Sequence, residues 1–194
     1  MRLSTLPPLQ PLIGRTVLRW HAIDEWPGRE HCVIEPDGQG FVVRSALVGE
    51  NDDTPFGVFY ELSIDGGWRV RTARFLGADG RKLVLEHDGE GRWRDGSGAP
   101  LAQLDGCIDL DISRTPLTNT LPLRRMAFEP GVPRHFVMAW VALDTMTVRR
   151  DAQIYTALGA GNWSYAAADG SFSARIFVDP MGFVVDYEGL FERL

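Results

Sequence analysis

The chain has 194 residues, 44% hydrophobic and 24% charged, a balance that excludes disordered, collagenous and coiled-coil chains. Its net charge is −6 and its basic residues are scattered, so nothing concentrates the positive surface that displacing counterions from nucleic acid requires. An all-β chain of roughly 200 residues folds around one core, so a single domain is expected.

Residues 1–15 read as an irregular arm, because Pro7, Pro8 and Pro11 cannot enter a helix or a sheet interior. The same prolines interrupt any apolar leader, and no later run approaches the roughly 20 apolar residues needed to cross a bilayer. Cys32 and Cys107 lie far apart, without a CxxC or a histidine at metal-ligand spacing, and suit buried thiols in a reducing compartment. The expected location is cytoplasmic, with no cofactor and no metal.

From residue 16 onward, short runs of Val, Ile, Leu, Phe, Tyr and Trp end in turn residues, which predicts strands at 16–23, 31–35, 40–48, 58–64, 68–76 and 82–87. Asp-Gly recurs between them, from Asp37-Gly38 to Asp169-Gly170. Two-residue hairpin turns need positive φ, which Asp tolerates and Gly accepts, so an antiparallel meander is expected. Later strands are predicted at 134–143, 147–155 and 163–167, with one short helix or turn possible over 151–158. The closing hairpin pairs 172–178 with 183–187. Apolar residues at helical spacing never persist for three turns, so βαβ units and parallel sheets are not expected. About a dozen strands should curl into an incomplete or half barrel able to enclose an apolar ligand.

The centre of the chain, residues 107–125, reads CIDLDISRTPLTNTLPLRR. Ile108, Leu110 and Ile112 alternate with Asp109 and Asp111, so the two carboxylates share one strand face opposite the core. Pro116 and Pro122 bracket a polar loop, Thr118, Asn119 and Thr120, which delivers Arg124 and Arg125. Extended neighbours point apart, so at most one of these arginines looks toward the aspartates. Of the twenty basic residues only Lys82 is a lysine. Coding bias gives such a pattern, and so does a need for guanidinium forks; position decides between them.

This segment, with Gly66-Gly67-Trp68-Arg69 before it and Gln153-Ile154-Tyr155, Asp179-Pro180-Met181-Gly182-Phe183 and Tyr187-Glu188-Gly189 after it, resembles the putative glycolipid-binding family of bacteria. The resemblance covers nearly the whole chain. It implies an all-β curved antiparallel sheet forming an incomplete barrel, similar in shape to periplasmic lipoprotein carriers. Its pattern falls on Trp68, Arg69, Asp109, Asp111, Thr115, Pro116, Thr118, Asn119, Pro122, Arg124, Arg125, Tyr155 and Tyr187, and it brings no agreed catalytic set.

The leading expectation is a non-enzymatic protein holding an amphipathic small molecule or glycolipid in the concave face of the sheet. Its binding residues would be Arg124, Arg125, Asn119, Thr118, Asp109, Asp111, Trp68, Arg69, Tyr155 and Tyr187. An arginine can clamp an anionic or sugar head, or pair with an aspartate; Thr118 and Asn119 can touch ligand or only shape the loop. Asp109 and Asp111, about 6 to 7 Å apart on a regular strand, also fit a hydrolase or transferase acid and base acting on a glycosylated or lipid-like substrate. An interaction module is the third reading. No nucleophile motif supports a triad.

Overall fold

The computed structural model describes residues 6–51 and 53–194. Fourteen strands form one sheet: β1 (Thr16–Ala22), β2 (Gly28–Pro36), β3 (Gly40–Asn51), β4 (Thr54–Asp65), β5 (Val70–Gly77), β6 (Lys82–His87), β7 (Trp93–Asp95), β8 (Asp109–Ile112), β9 (Arg134–Ala142), β10 (Thr147–Gly159), β11 (Asn162–Ala167), β12 (Ser173–Val178), β13 (Val184–Tyr187) and β14 (Phe191–Arg193). The spatial order runs β7 back to β1, then β14 back to β8, so the chain lays out half the sheet, crosses over, and returns to close beside β1. The sheet is open and curved, and is not closed into a barrel.

Alternation builds the inner face. Leu18 and Trp20 are buried on β1, opposite Cys32 and Glu30 of β2; from there the registers carry the face through Ile34, Val43, Leu62 and Ala73. On the other side of β1 the same face continues through Phe191, Tyr187, Ile176, Trp163, Tyr155 and Phe136. Rings along this face touch, Tyr155–Tyr165 at 5.3 Å on neighbouring strands and Tyr165–Tyr187 at 5.9 Å across β12, between centroids.

Three features depart from the sequence reading. First, β8 and β9 are parallel, Asp109 opposite Met138 and Ile112 opposite Val141, joined through a 3-10 turn at Leu117–Asn119 and helix α1 (Thr120–Arg125). The crossover is thus a miniature βαβ unit. Six residues cannot display a helical period, and Pro122 sits in the first turn, where its missing N–H has no partner to lose. Second, residues 151–158 lie within β10 and are strand. Third, Asp in the Asp-Gly turns does not take positive φ; it accepts backbone N–H groups. Asp37 Oδ1 accepts from Gln39 N and Gly40 N at 3.0 and 2.7 Å, and Asp95 Oδ1 from Ser97 N and Ala99 N at 2.9 and 3.0 Å. The turns are therefore longer than two residues.

The edge at β8 and β9 is buried on both faces. Leu110, Ile112, Ala139 and Val141 belong to the same core cluster as Leu62, Ala73, Phe75 and Leu85, while Phe136 and Met138 belong to the cluster of the tyrosine rows. Asp109 and Asp111 do share a face, but it is not outside: Asp109 is 1% exposed beneath α1. The linker between β7 and β8 covers the opposite edge, as Trp93 Nε1 donates to Cys107 O at 2.8 Å and Gly106 N to Gly91 O at 2.8 Å. Residues 6–15 have no regular structure, with Leu12 buried in the core and Gln10 N donating to Pro180 O at 2.8 Å; residues 1–5 of the expected arm lie outside the described residues.

Candidate functional site

The central segment spends its polar side chains on fastening itself. Arg114, at φ 64°, turns the chain out of β8 and places both Nη groups on Asp24, at 2.5 and 3.1 Å. Thr115 donates to Glu30, a buried carboxyl on β2 that also accepts from Ser45 Oγ at 2.6 Å and from Tyr60. Burial raises the Glu30 pKa, and its hydroxyl donors only partly offset this. Thr118 Oγ1 accepts Ile112 N at 3.1 Å and donates to Asp111 Oδ1 at 2.9 Å.

A relay of donors ends on the same carboxylate. Asn119 Nδ2 donates to Tyr155 Oη at 2.8 Å, Tyr155 Oη to Gln153 Oε1 at 3.3 Å, and Gln153 Nε2 to Asp111 Oδ2 at 2.7 Å. Burial pushes Asp111 up to about 6, against the lowering effect of Gln153 and Thr118. Tyr155 and Tyr187 are held well above the usual phenol value, again by burial first.

The two arginines part company. Arg125 makes a paired contact with Asp109, stacking near Phe136 with 5.9 Å from guanidinium carbon to ring centroid. Arg124 instead lies 4.1 Å over the Trp68 ring, bonds Gln10 O through both Nη groups at 3.1 Å, and donates to Met181 O. One arginine reaching the aspartates matches the sequence reading, though the separation comes from a helical turn and not from strand alternation. Trp68, at φ 62°, packs on Phe41 at 4.7 Å, and Arg69 contributes its backbone N–H to Asp65 in the same turn. Tyr187 lies in the aromatic row beside Tyr165 and Phe191.

The interior of the first half of the sheet is filled by α1 and the 3-10 turn before it: Leu117, Thr118, Thr120 and Leu121 meet Ile34, Val43, Leu62, Ile64 and Phe183 around a space of only about 10 Å³. The large cavity lies at one end of the other half. It measures about 710 Å³ and is walled by the arm (Leu6 to Gln10), the end of α1 and the loop after it (Leu123, Arg124, Met126, Ala127, Phe128), the β10–β11 turn at Gly159, Ala160 and Gly161, and Trp163, Val178, Asp179 and Pro180. That size suits a small-molecule site, for which roughly 300–1,000 Å³ is usual. Phe128 meets Trp163 edge-on at 4.7 Å, giving an aromatic wall.

Of the ten residues singled out in the sequence, Arg124 alone lines this cavity. Thr118, Asn119, Asp109, Asp111, Arg125 and Tyr155 come together beneath α1, with Tyr187 joined to them through the Tyr165 ring; Trp68 supports Arg124 from behind, and Arg69 lies apart from both groups. Sequence reasoning missed Trp163, Phe128, Leu123 and the arm as walls, and Glu30 as an anchor. Glu30 was detectable, because it shares parity with the core residues Cys32 and Ile34 of β2. The cavity walls were not, because the arm and the loop after α1 reach the ends of β11 and β12 from distant parts of the chain. Among the described residues no group of three His, Cys, Asp or Glu side chains is placed to share a metal ion, and no helix is long and apolar enough to cross a membrane.

The model of the family described as "Putative glycolipid-binding" matches residues 17–193. The chain belongs to this family. The crystal structure of a DUF1089 family protein from Pseudomonas aeruginosa is similar over the full length of both chains, with 31% identity and a TM-score of 0.77. No curated protein matches the chain.

Proposed function

We propose that the protein is a non-enzymatic carrier of an amphipathic molecule of glycolipid type, with the apolar part in the 710 Å³ cavity and the polar head toward Arg124. The observation that supports it is the cavity itself, apolar along Leu123, Phe128, Trp163 and Val178 and bordered by a guanidinium at one side. The family description supports a glycolipid-type ligand. Buried, unpaired Cys32 and Cys107 suit work in a reducing, cytoplasmic setting.

A neutral fluorescent probe, N-phenyl-1-naphthylamine, tests the reading. It should bind the native protein, and Ala127→Trp and Ala160→Trp, which add bulk at two walls of the cavity, should each weaken binding about 10-fold or more while the fold melts normally. Absent binding, or binding indifferent to both substitutions, would overturn it.

A second reading, acid and base chemistry on Asp109 and Asp111, draws on the value near 6 for Asp111, suited to a general acid. Against it, Asp109 is held by Arg125 and both Asp111 oxygens accept hydrogen bonds. Release of product from a chromogenic glycoside or ester, abolished by Asp111→Asn, would favour it.

A further inference from the structure

Resting on the cavity reading above, we infer that the amphiphile is anionic, its carboxylate or phosphate oxygens accepting from the Arg124 guanidinium and the Trp163 indole N–H. Arg124 is half-buried and makes no ion pair with a carboxylate among the described residues; its Nη groups meet only the carbonyl oxygens of Gln10 and Met181. Asp179 is the acidic side chain among the cavity walls, and it is fully engaged elsewhere. Its Oδ1 accepts from Met181 N and Phe183 N at 2.9 and 3.0 Å, and its Oδ2 from Arg193 Nη1 at 2.6 Å. Asp179 is near enough to favour the charged form of Arg124, but its carboxylate is bonded to Arg193, so two guanidiniums at this end of the cavity outnumber the one carboxylate, on a protein whose net charge is −6.

The unpaired groups point the same way. Arg124 Nε and Trp163 Nε1 are both buried without a partner, and both residues wall the cavity. Each is a donor, and a buried donor left without an acceptor forfeits its hydration with no return. A role for Arg124 as a tie between the arm and the β12–β13 turn accounts for its Nη contacts alone. It leaves Nε unexplained and says nothing of Trp163. A ligand supplying acceptor oxygens and negative charge answers all three observations when the two side chains turn on binding to bring these covered nitrogens to its oxygens, and charge-assisted bonds to a guanidinium are the strong ones. A neutral sugar head would satisfy the donors but not the charge.

Calorimetric titration with three twelve-carbon probes, each below its micelle concentration, separates the alternatives: dodecanoate, dodecyl phosphate and the neutral glycolipid analogue dodecyl maltoside. We expect one or both anions to bind at least about 10-fold more tightly than the maltoside, the better of the two naming the head as carboxylate or phosphate. Arg124→Gln should remove that preference, weakening the anions about 10-fold or more beyond whatever it costs the maltoside, and Arg124→Lys, which keeps charge but not the fork, should retain part of it. Equal binding of all three probes to the native protein overturns the inference and leaves the carrier reading standing. Binding of none overturns both. A preference that survives Arg124→Gln, or that Arg124→Lys abolishes as completely as Arg124→Gln, assigns the effect to something other than the charge and also overturns the inference; thermal melts of both variants show whether packing on Trp68 has failed.

Discussion

The guanidinium of Arg125 closes on the carboxylate of Asp109 through two hydrogen bonds, Nε to Oδ1 at 3.0 Å and Nη2 to Oδ2 at 2.5 Å, with the side chains 12% and 1% exposed. Such a pair gains little net over apolar packing, but removing one partner leaves a charge buried alone. Arg125→Ala should therefore destabilise the protein by about 3–5 kcal/mol. The double substitution Asp109→Leu with Arg125→Met should recover much of that in urea melts. A single-variant cost below about 1 kcal/mol would show that Asp109 finds water when Arg125 is gone.

Asp111 carries the opposite expectation. Its folded value near 6 lies above its ordinary value of 3.8, so the folded protein holds the proton to higher pH than the unfolded chain does. The contribution to stability is whole below about pH 4 and is lost as pH rises through 6. Asp111→Asn keeps an oxygen for Gln153 and an amide for Thr118 Oγ1, and should flatten this part of the pH profile and leave the variant at least as stable as the native protein at pH 7. A large loss of stability at pH 7 would contradict the account, as would a carboxyl titrating near 4 by NMR.

Thr115 joins the central segment to Glu30 across the core. Thr115→Val removes a hydroxyl donor from a buried carboxyl, at a cost of about 1–3 kcal/mol. It should also raise the already raised Glu30 pKa further, because the Thr115 bond opposes the effect of burial. Stability of the variant would then fall more steeply than that of the native protein as pH rises above the ordinary glutamate value of 4.5. Parallel pH profiles for the two proteins would refute this.

Gly91 has φ 93°, and a Cβ there would stand 2.9 Å from the Cα of Gly106, backbone against backbone. Gly91→Ala meets both a strained conformation and a contact that no side-chain motion relieves, and should cost more than about 1 kcal/mol. Amide exchange should quicken at Gly106 and in the linker between β7 and β8, whose hydrogen bonds cover the β7 edge. Unchanged exchange there would mean that the linker holds without this contact.

The strands were legible because alternation is a local signal: twelve of the fourteen were anticipated, and Lys82–His87 was matched to the residue. The three-residue strands β7 and β14 were not, being too short to alternate. The centre of the chain was legible as important and not in its form. Asp109, Asp111, Thr118, Asn119 and Arg125 do converge, but they and their partners Gln153 and Tyr155 are brought together by a parallel crossover that no periodicity announces. The cavity was least legible, since Leu6, Phe128, Gly161 and Val178 come from four separate parts of the chain and share no pattern.

Purification without detergent, followed by a native mass spectrum and by mass spectrometry of the organic extract, tests the carrier reading most directly. The account predicts one amphipathic molecule per chain in the native protein, and its loss in both Ala127→Trp and Ala160→Trp. A native protein of bare polypeptide mass that also leaves all three twelve-carbon probes unbound would contradict it.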